Sequence, residues 1–186
     1  MSQMPEPFIA QELETGRMII RKINQGDLHD MFDYCSDSRM TQYVTWQTHT
    51  NLEETLSFIQ LVENLYLNGE VAPLGIEDKQ TGKLIGTCGF VNWNMNHARA
   101  EVGYAIASPY WGRGYMTEAV QALIQFGFDR QLVRIEARCH PDNIGSSRVM
   151  EKCGMTYEGI LHKHLFAKGK YEDVKMYAVI NEELLK

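Results

Sequence analysis

The sequence predicts a mixed α/β domain, a mostly antiparallel sheet of seven strands flanked by about four helices. Three observations predict it. The segments read, in order, strand, two helices, three strands, helix, strand, helix and two strands, with no repeat or low-complexity linker between them. A strand ending at Ala107, a helix beginning at Thr117 and a strand beginning at Val133 form one unit, which the usual rule makes a right-handed parallel crossover. Its 186 residues, 44% of them apolar and 23% charged, suit one folded domain with a sizeable core.

Each element has its own signal. Met1 to Thr15 is mixed, carries Pro5 and Pro7, and reads as a loose arm, giving an arm over 1–16 and a domain over 17–186. Arg17 to Ile23 reads as the first strand. Asp27 stands where an N-cap would start a helix over Leu28 to Cys35, and Thr50 or Asn51 where one would start a helix over Leu52 to Leu67. In the second helix Leu52, Leu56, Ile59, Val62 and Leu65 share one face. Val71 to Asp78 and Lys83 to Trp93 are strands joined by a turn at Lys79 to Gly82, and Gly86 and Gly89 suggest a bulge or a close backbone approach. Ala98 to Ala107 is the fourth strand, Thr117 to about Asp129 a helix, and Val133 to Cys139 the fifth strand. Asn143 precedes a helix over Ile144 to Lys152, which Gly154 ends as the residue after the cap. Met155 to His162 and Tyr171 to Val179 close the sheet around Lys168-Gly169-Lys170.

Composition narrows the function classes. A net charge of −6 disfavours a general nucleic-acid binder and favours encounter with cationic acceptors. An anionic cofactor would then need a local basic patch, which Arg113 begins. Cys35, Cys88, Cys139 and Cys153 are scattered and contain no C-x-x-C pair, which argues against a zinc site and for small core residues in a reducing compartment. Met1 to Ala10 has no basic region followed by an apolar run, and no apolar stretch nears the about 20 residues of a membrane span. The expectation is a cytoplasmic protein with no membrane, nucleic-acid or metal partner.

The stretch Tyr110-Trp111-Gly112-Arg113-Gly114-Tyr115-Met116-Thr117-Glu118-Ala119 is the chemical centre of the chain. It joins a strand to a helix. A helix start presents unpaired N–H groups and the positive end of a dipole, which suits a phosphate. Glycine lets the backbone approach the ligand, and Arg113 adds a charged donor. Two glycines so spaced also mark any tight turn into a helix. Neither G-x-x-x-x-G-K-[ST] nor G-x-G-x-x-G fits, because Thr117 fills the third glycine position of the latter.

A second motif follows the fifth strand: His140-Pro141-Asp142-Asn143-Ile144-Gly145-Ser146-Ser147-Arg148-Val149-Met150-Glu151-Lys152-Cys153-Gly154-Met155. Alone it is a capped helix. Together the two segments resemble the GNAT superfamily of acetyl-CoA-dependent N-acetyltransferases, and the resemblance covers Arg17 to about Val179. Glu101-Val102-Gly103-Tyr104 and Gly169-Lys170-Tyr171-Glu172-Asp173-Val174 resemble the ribosomal-protein N-terminal (alanine/serine) acetyltransferase branch. Two loop positions depart from the general family pattern: Trp111, usual in this branch, and Met116, bulkier than the Ala or Gly expected there.

The resemblance implies a central parallel strand pair that splays apart to admit the pantetheine arm of acetyl-CoA, a co-substrate needing no metal. Backbone of Ile106 and Ala107 would meet that arm. The N–H groups of Arg113, Gly114, Tyr115, Met116 and Thr117 would hold the pyrophosphate. Asn143 and Ser146 would lie near the thioester end, with Arg148 facing either the nucleotide or solvent. A neutral amine would attack the thioester. Glu101 is the candidate base and His140 the alternative, although Glu101 also fits a strand-pairing carboxylate and His140 a solvated loop residue. Ser146 is the candidate acid for the leaving thiolate, or a helix-start hydrogen-bonding residue. Strand N–H groups would serve the oxyanion. Tyr43, Trp46 and Tyr171 would line the acceptor side. The acceptor amine is a protein N-terminus, or a small molecule such as a polyamine or antibiotic; a non-catalytic acyl-CoA-binding sensor ranks last, and a homodimer through exposed edge strands stays open.

Overall fold

The computed structural model describes residues 5–186. Eight strands form one sheet: β1 (Leu13–Glu14), β2 (Met18–Arg21), β3 (Leu74–Asp78), β4 (Leu84–Asn94), β5 (Arg99–Ile106), β6 (Arg134–Cys139), β7 (Thr156–Ala167) and β8 (Lys170–Ile180). Their order is β1-β2-β3-β4-β5-β6-β8-β7, and every pairing is antiparallel except β5 with β6. Four helices accompany them: α1 (Leu28–Cys35), α2 (Leu52–Leu67), α3 (Tyr115–Asp129) and α4 (Ile144–Lys152).

The strand count is eight where the sequence predicts seven. The extra strand is β1, whose two residues pair as Leu13 with Ile20 and Glu14 with Ile19. Two residues are too few to show a period of two, so the pairing has no sequence signal. Of the expected arm, residues 1–4 lie outside the described residues. Further on, the Glu6 N–H donates to the Arg130 carbonyl, and the Phe8 ring packs against Phe90 and Trp93.

Local chemistry sets the helix ends. Asn51 caps α2 by accepting from the Glu54 N–H at 3.0 Å. After α4, Gly154 takes φ 79°, its N–H donates to the Glu151 carbonyl, and the Met155 N–H reaches back to the Met150 carbonyl. The predicted Asp27 cap does not form. Arg21 donates two bonds to that carboxylate, at 2.9 and 2.8 Å, and the Asn24 N–H a third. Asn24 instead caps the short turn before α1.

Two apolar clusters hold the sheet. The larger includes Phe90, Val102, Leu123, Ile135 and Met150, and joins β4, β5 and β6 to α3 and α4. The smaller, with Ile23, Met31, Ile59, Val62 and Leu84, lies under α1 and α2. Successive residues at the end of β5 serve different clusters: Ile106 joins the first, while Ala105 and the following Ala107 pack against the second.

Candidate active site

The sheet opens at its centre. The parallel register of β5 and β6 runs from Arg99 with Arg134 to Val102 with Ala137 and stops there, although β5 continues to Ile106 and β6 to Cys139. Residues 103–106 therefore line a gap between two strands that have parted. The Ala107 N–H is bonded to the Ile85 carbonyl of β4 at 2.8 Å. By the alternation of a strand, the neighbouring Ile106 N–H points the other way, into the gap. The Ile106 carbonyl accepts from the Trp111 indole N–H at 2.8 Å, which ties the glycine loop to the end of β5.

Helix α3 starts at the mouth of this gap, two residues earlier than predicted, because Gly114 itself is the N-cap residue. Gly112 and Gly114 have φ values of 71° and 79°, a conformation that a side chain disfavours by about 1–2 kcal/mol. The N–H groups of Arg113, Gly114, Tyr115, Met116 and Thr117 find no acceptor among the described residues. They form a row of donors at the positive end of a 15-residue helix, and both Arg113 and Gly114 are exposed. Met116 points into the core, so its bulk is absorbed there and its N–H stays in the row.

Asn143 caps α4 through its side-chain oxygen, which accepts from the Ser146 N–H at 3.0 Å. The Ser146 hydroxyl lies 2.9 Å from the Tyr104 hydroxyl, which also reaches the Ser146 carbonyl at 3.3 Å. Tyr104 belongs to β5 within the parted stretch, so this contact spans the gap. Burial pushes the Tyr104 pKa well up, opposed by Ser146. Tyr104 escapes sequence reasoning as a site residue because its partner is 42 positions away. Arg148 is exposed on α4.

Glu101 pairs with Arg138 on the neighbouring strand at 2.9 Å. Its pKa is raised, chiefly by burial and also by Glu136, while Arg138 and His164 oppose the shift. His140 follows β6 and packs against Tyr43, ring centroids 5.1 Å apart and stacked, with Glu172 at 3.7 Å from Nε2. Its Nδ1 accepts the Asp142 N–H at 3.1 Å. A neutral ring with Nδ1 so engaged carries its proton on Nε2, and no lone pair is left for a substrate. Of the expected acceptor-side aromatics, only Tyr43 meets this cluster. Trp46 packs against His49, and Tyr171 is exposed beside Phe166 on the last hairpin.

A sheet parted at a parallel strand pair, with a helix N-terminus at the mouth, offers a cleft with anion-binding donors beside it. Comparison with known proteins identifies the class of protein that carries this cleft. A sequence model of the acetyltransferase (GNAT) domain matches residues 17–156. An uncharacterized N-acetyltransferase, p20, of Bacillus licheniformis is 34% identical over 174 residues, 93% of this chain and 98% of the relative. The ribosomal-protein-serine acetyltransferase of Escherichia coli (strain K12) is 33% identical over 99 residues, 53% of this chain and 55% of the relative. The crystal structure of a GNAT-family acetyltransferase from Bacillus anthracis superposes with a TM-score of 0.81 at 30% identity, covering 92% of this chain and 99% of that one. The chain belongs to the GNAT acetyltransferase family, and it is an N-acetyltransferase.

Proposed function

We propose that the protein transfers an acetyl group from acetyl-CoA to a protein N-terminal amine. The carrying observation is the row of unpaired N–H groups at the start of α3, set beside the gap between β5 and β6. The row fits a pyrophosphate, and Gly114 keeps the approach open where a Cβ would stand 3.5 Å from Arg17. Arg113 to Thr117 would hold the phosphates, with the Arg113 side chain close by and Arg148 turned to the nucleotide. Backbone at Ile106 and Ala107 would border the pantetheine arm, and since the Ala107 N–H is already engaged, Ile106 supplies the free donor. Asn143 and Ser146 would lie at the thioester.

Bound acetyl-CoA supplies an activated acyl carbon and a thiolate leaving group. The chain's own residues handle the protons. The Glu101 carboxylate, whose pKa burial raises, accepts the proton that the acceptor ammonium must lose. The Ser146 hydroxyl gives a proton to the departing sulfur, and the Tyr104 hydroxyl at 2.9 Å fixes the rotamer from which it does so. The 33%-identical ribosomal-protein-serine acetyltransferase supports a protein N-terminus as the acceptor. Four unpaired thiols support a cytoplasmic setting.

Thiol release from acetyl-CoA, measured with N-terminal peptides, polyamines and aminoglycosides in competition, tests this reading. Peptides beginning with Ser or Ala should be acetylated in preference to spermidine, and Ser146→Ala should lower kcat by about tenfold or more at unchanged acetyl-CoA affinity. Preferential turnover of a polyamine or an aminoglycoside would replace the protein N-terminus with a small amine. Binding of acetyl-CoA without turnover of any amine would point to a sensor.

A further inference from the structure

Arg17 lies 96 positions from Arg113 in the chain, yet it contacts both the glycine loop and the first turn of α3. It precedes β2 at the sheet end where the gap opens. Its backbone is pinned at both polar atoms: the N–H donates to Glu118 Oε1 at 2.9 Å, and the carbonyl accepts from the Lys79 N–H at 3.0 Å. The guanidinium then makes three contacts with the loop and the first turn of α3. Nε donates to Glu118 Oε2 at 2.7 Å, Nη1 donates to the Arg113 carbonyl at 2.9 Å, and the carbon between them sits 4.2 Å from the Tyr115 ring centre.

These contacts leave donors over. A guanidinium carries five N–H groups, and two are used, so three have no acceptor among the described residues. Two of these belong to Nη2, which lies 3.5 Å from where a Cβ on Gly114 would stand. The Nη2 donors therefore lie beside Gly114, next to the unpaired N–H groups of the loop. Glu118 would otherwise place an uncompensated carboxylate in the first turn, next to that anion site. Arg17 pairs it.

We infer that Arg17 is a positioning residue for the pyrophosphate of acetyl-CoA. It sets the loop through the Arg113 carbonyl, neutralises Glu118 and brings a second cation beside Arg113 to the phosphates. The inference rests on the acetyltransferase reading above. It predicts that only a thioester with a pyrophosphate senses Arg17.

The test compares wild type, Arg17→Met and Arg17→Lys with acetyl-CoA and with S-acetyl-pantetheine, which has the same thioester and no pyrophosphate. Arg17→Met should raise the KM for acetyl-CoA about ten- to a hundredfold, the worth of one lost charge-assisted hydrogen bond. The KM for the amine and kcat/KM with S-acetyl-pantetheine should stay at wild-type values, which a misfolded variant could not achieve. Arg17→Lys keeps the charge without the fork and should fall between the two. An acetyl-CoA KM unchanged in Arg17→Met while the wild type binds acetyl-CoA, or equal losses with both thioesters, overturns the inference alone. Calorimetry in which the wild type fails to bind acetyl-CoA overturns the acetyltransferase reading and the inference with it.

Discussion

Glu101 is a carboxylate whose neighbours disagree. Burial favours its neutral form, and Arg138 at 2.9 Å favours the charged one; burial wins, so the pKa is raised above the ordinary 4.5. A raised carboxyl protonates earlier as pH falls, so a base at this position switches off at a higher pH than an ordinary glutamate. The acidic limb of kcat/KM is therefore expected above 4.5. Arg138→Met removes the opposing cation and should move that limb upward, which the titration of the acceptor amine cannot do. Glu101→Gln should lower kcat by about a hundredfold and abolish the limb. A pH–rate profile of the three proteins checks this, and a limb unmoved by Arg138→Met would remove Glu101 from the mechanism. At the same scale, the sequence displays residue types and not their partners. Ser146 stands out as a helix-start hydroxyl, whereas Tyr104, 42 positions away, and Arg17, 101 positions from Glu118, carry no local mark. Such long-range pairs exist only once the sheet has brought them together.

Elements were legible where caps and periodicity agree. The bounds expected for α1, α2 and α4 are those observed, since Asn51, Asn143 and Gly154 punctuate two of these helices as their residue types predict. Legibility failed where a local device breaks the period. β7 runs to Ala167, five residues beyond its expected end, across a register shift between Leu161 and Leu165 and a positive φ of 50° at Lys163. Asp27 misled for a different reason: it was fit for a cap, but Arg21 claims it. That claim matters to stability, because Arg21 also holds Glu77 at 2.6 Å and so joins β2, β3 and the entry to α1. The Asp27 side chain is only 7% exposed. Arg21→Met strips a buried carboxylate of its partner and should cost about 3 kcal/mol, read as a lower denaturant midpoint at constant slope. The change expected for an exposed pair, under about 1 kcal/mol, would mean that water reaches Asp27.

On the scale of the molecule, one arrangement organises the rest: two parallel strands part, and the helix that connects them begins where they do. The mixed topology and the crossover were readable from the order of elements, and the resemblance to the GNAT superfamily supplied the splay that no single segment encodes. Against a net charge of −6, the proposed anion site is a small basic enclave of Arg113, Arg17 and the dipole of α3. Gly114 is itself exposed and holds φ 79°, so a glutamate there spoils the backbone conformation and sets a carboxylate against the phosphates without emptying the core. Calorimetric titration of acetyl-CoA into wild type and Gly114→Glu is the most direct test. We predict saturable binding to the wild type and at least about a hundredfold weaker binding to Gly114→Glu, with both proteins melting cooperatively. Equal binding to the two proteins would contradict the assignment of this loop as the cofactor cradle.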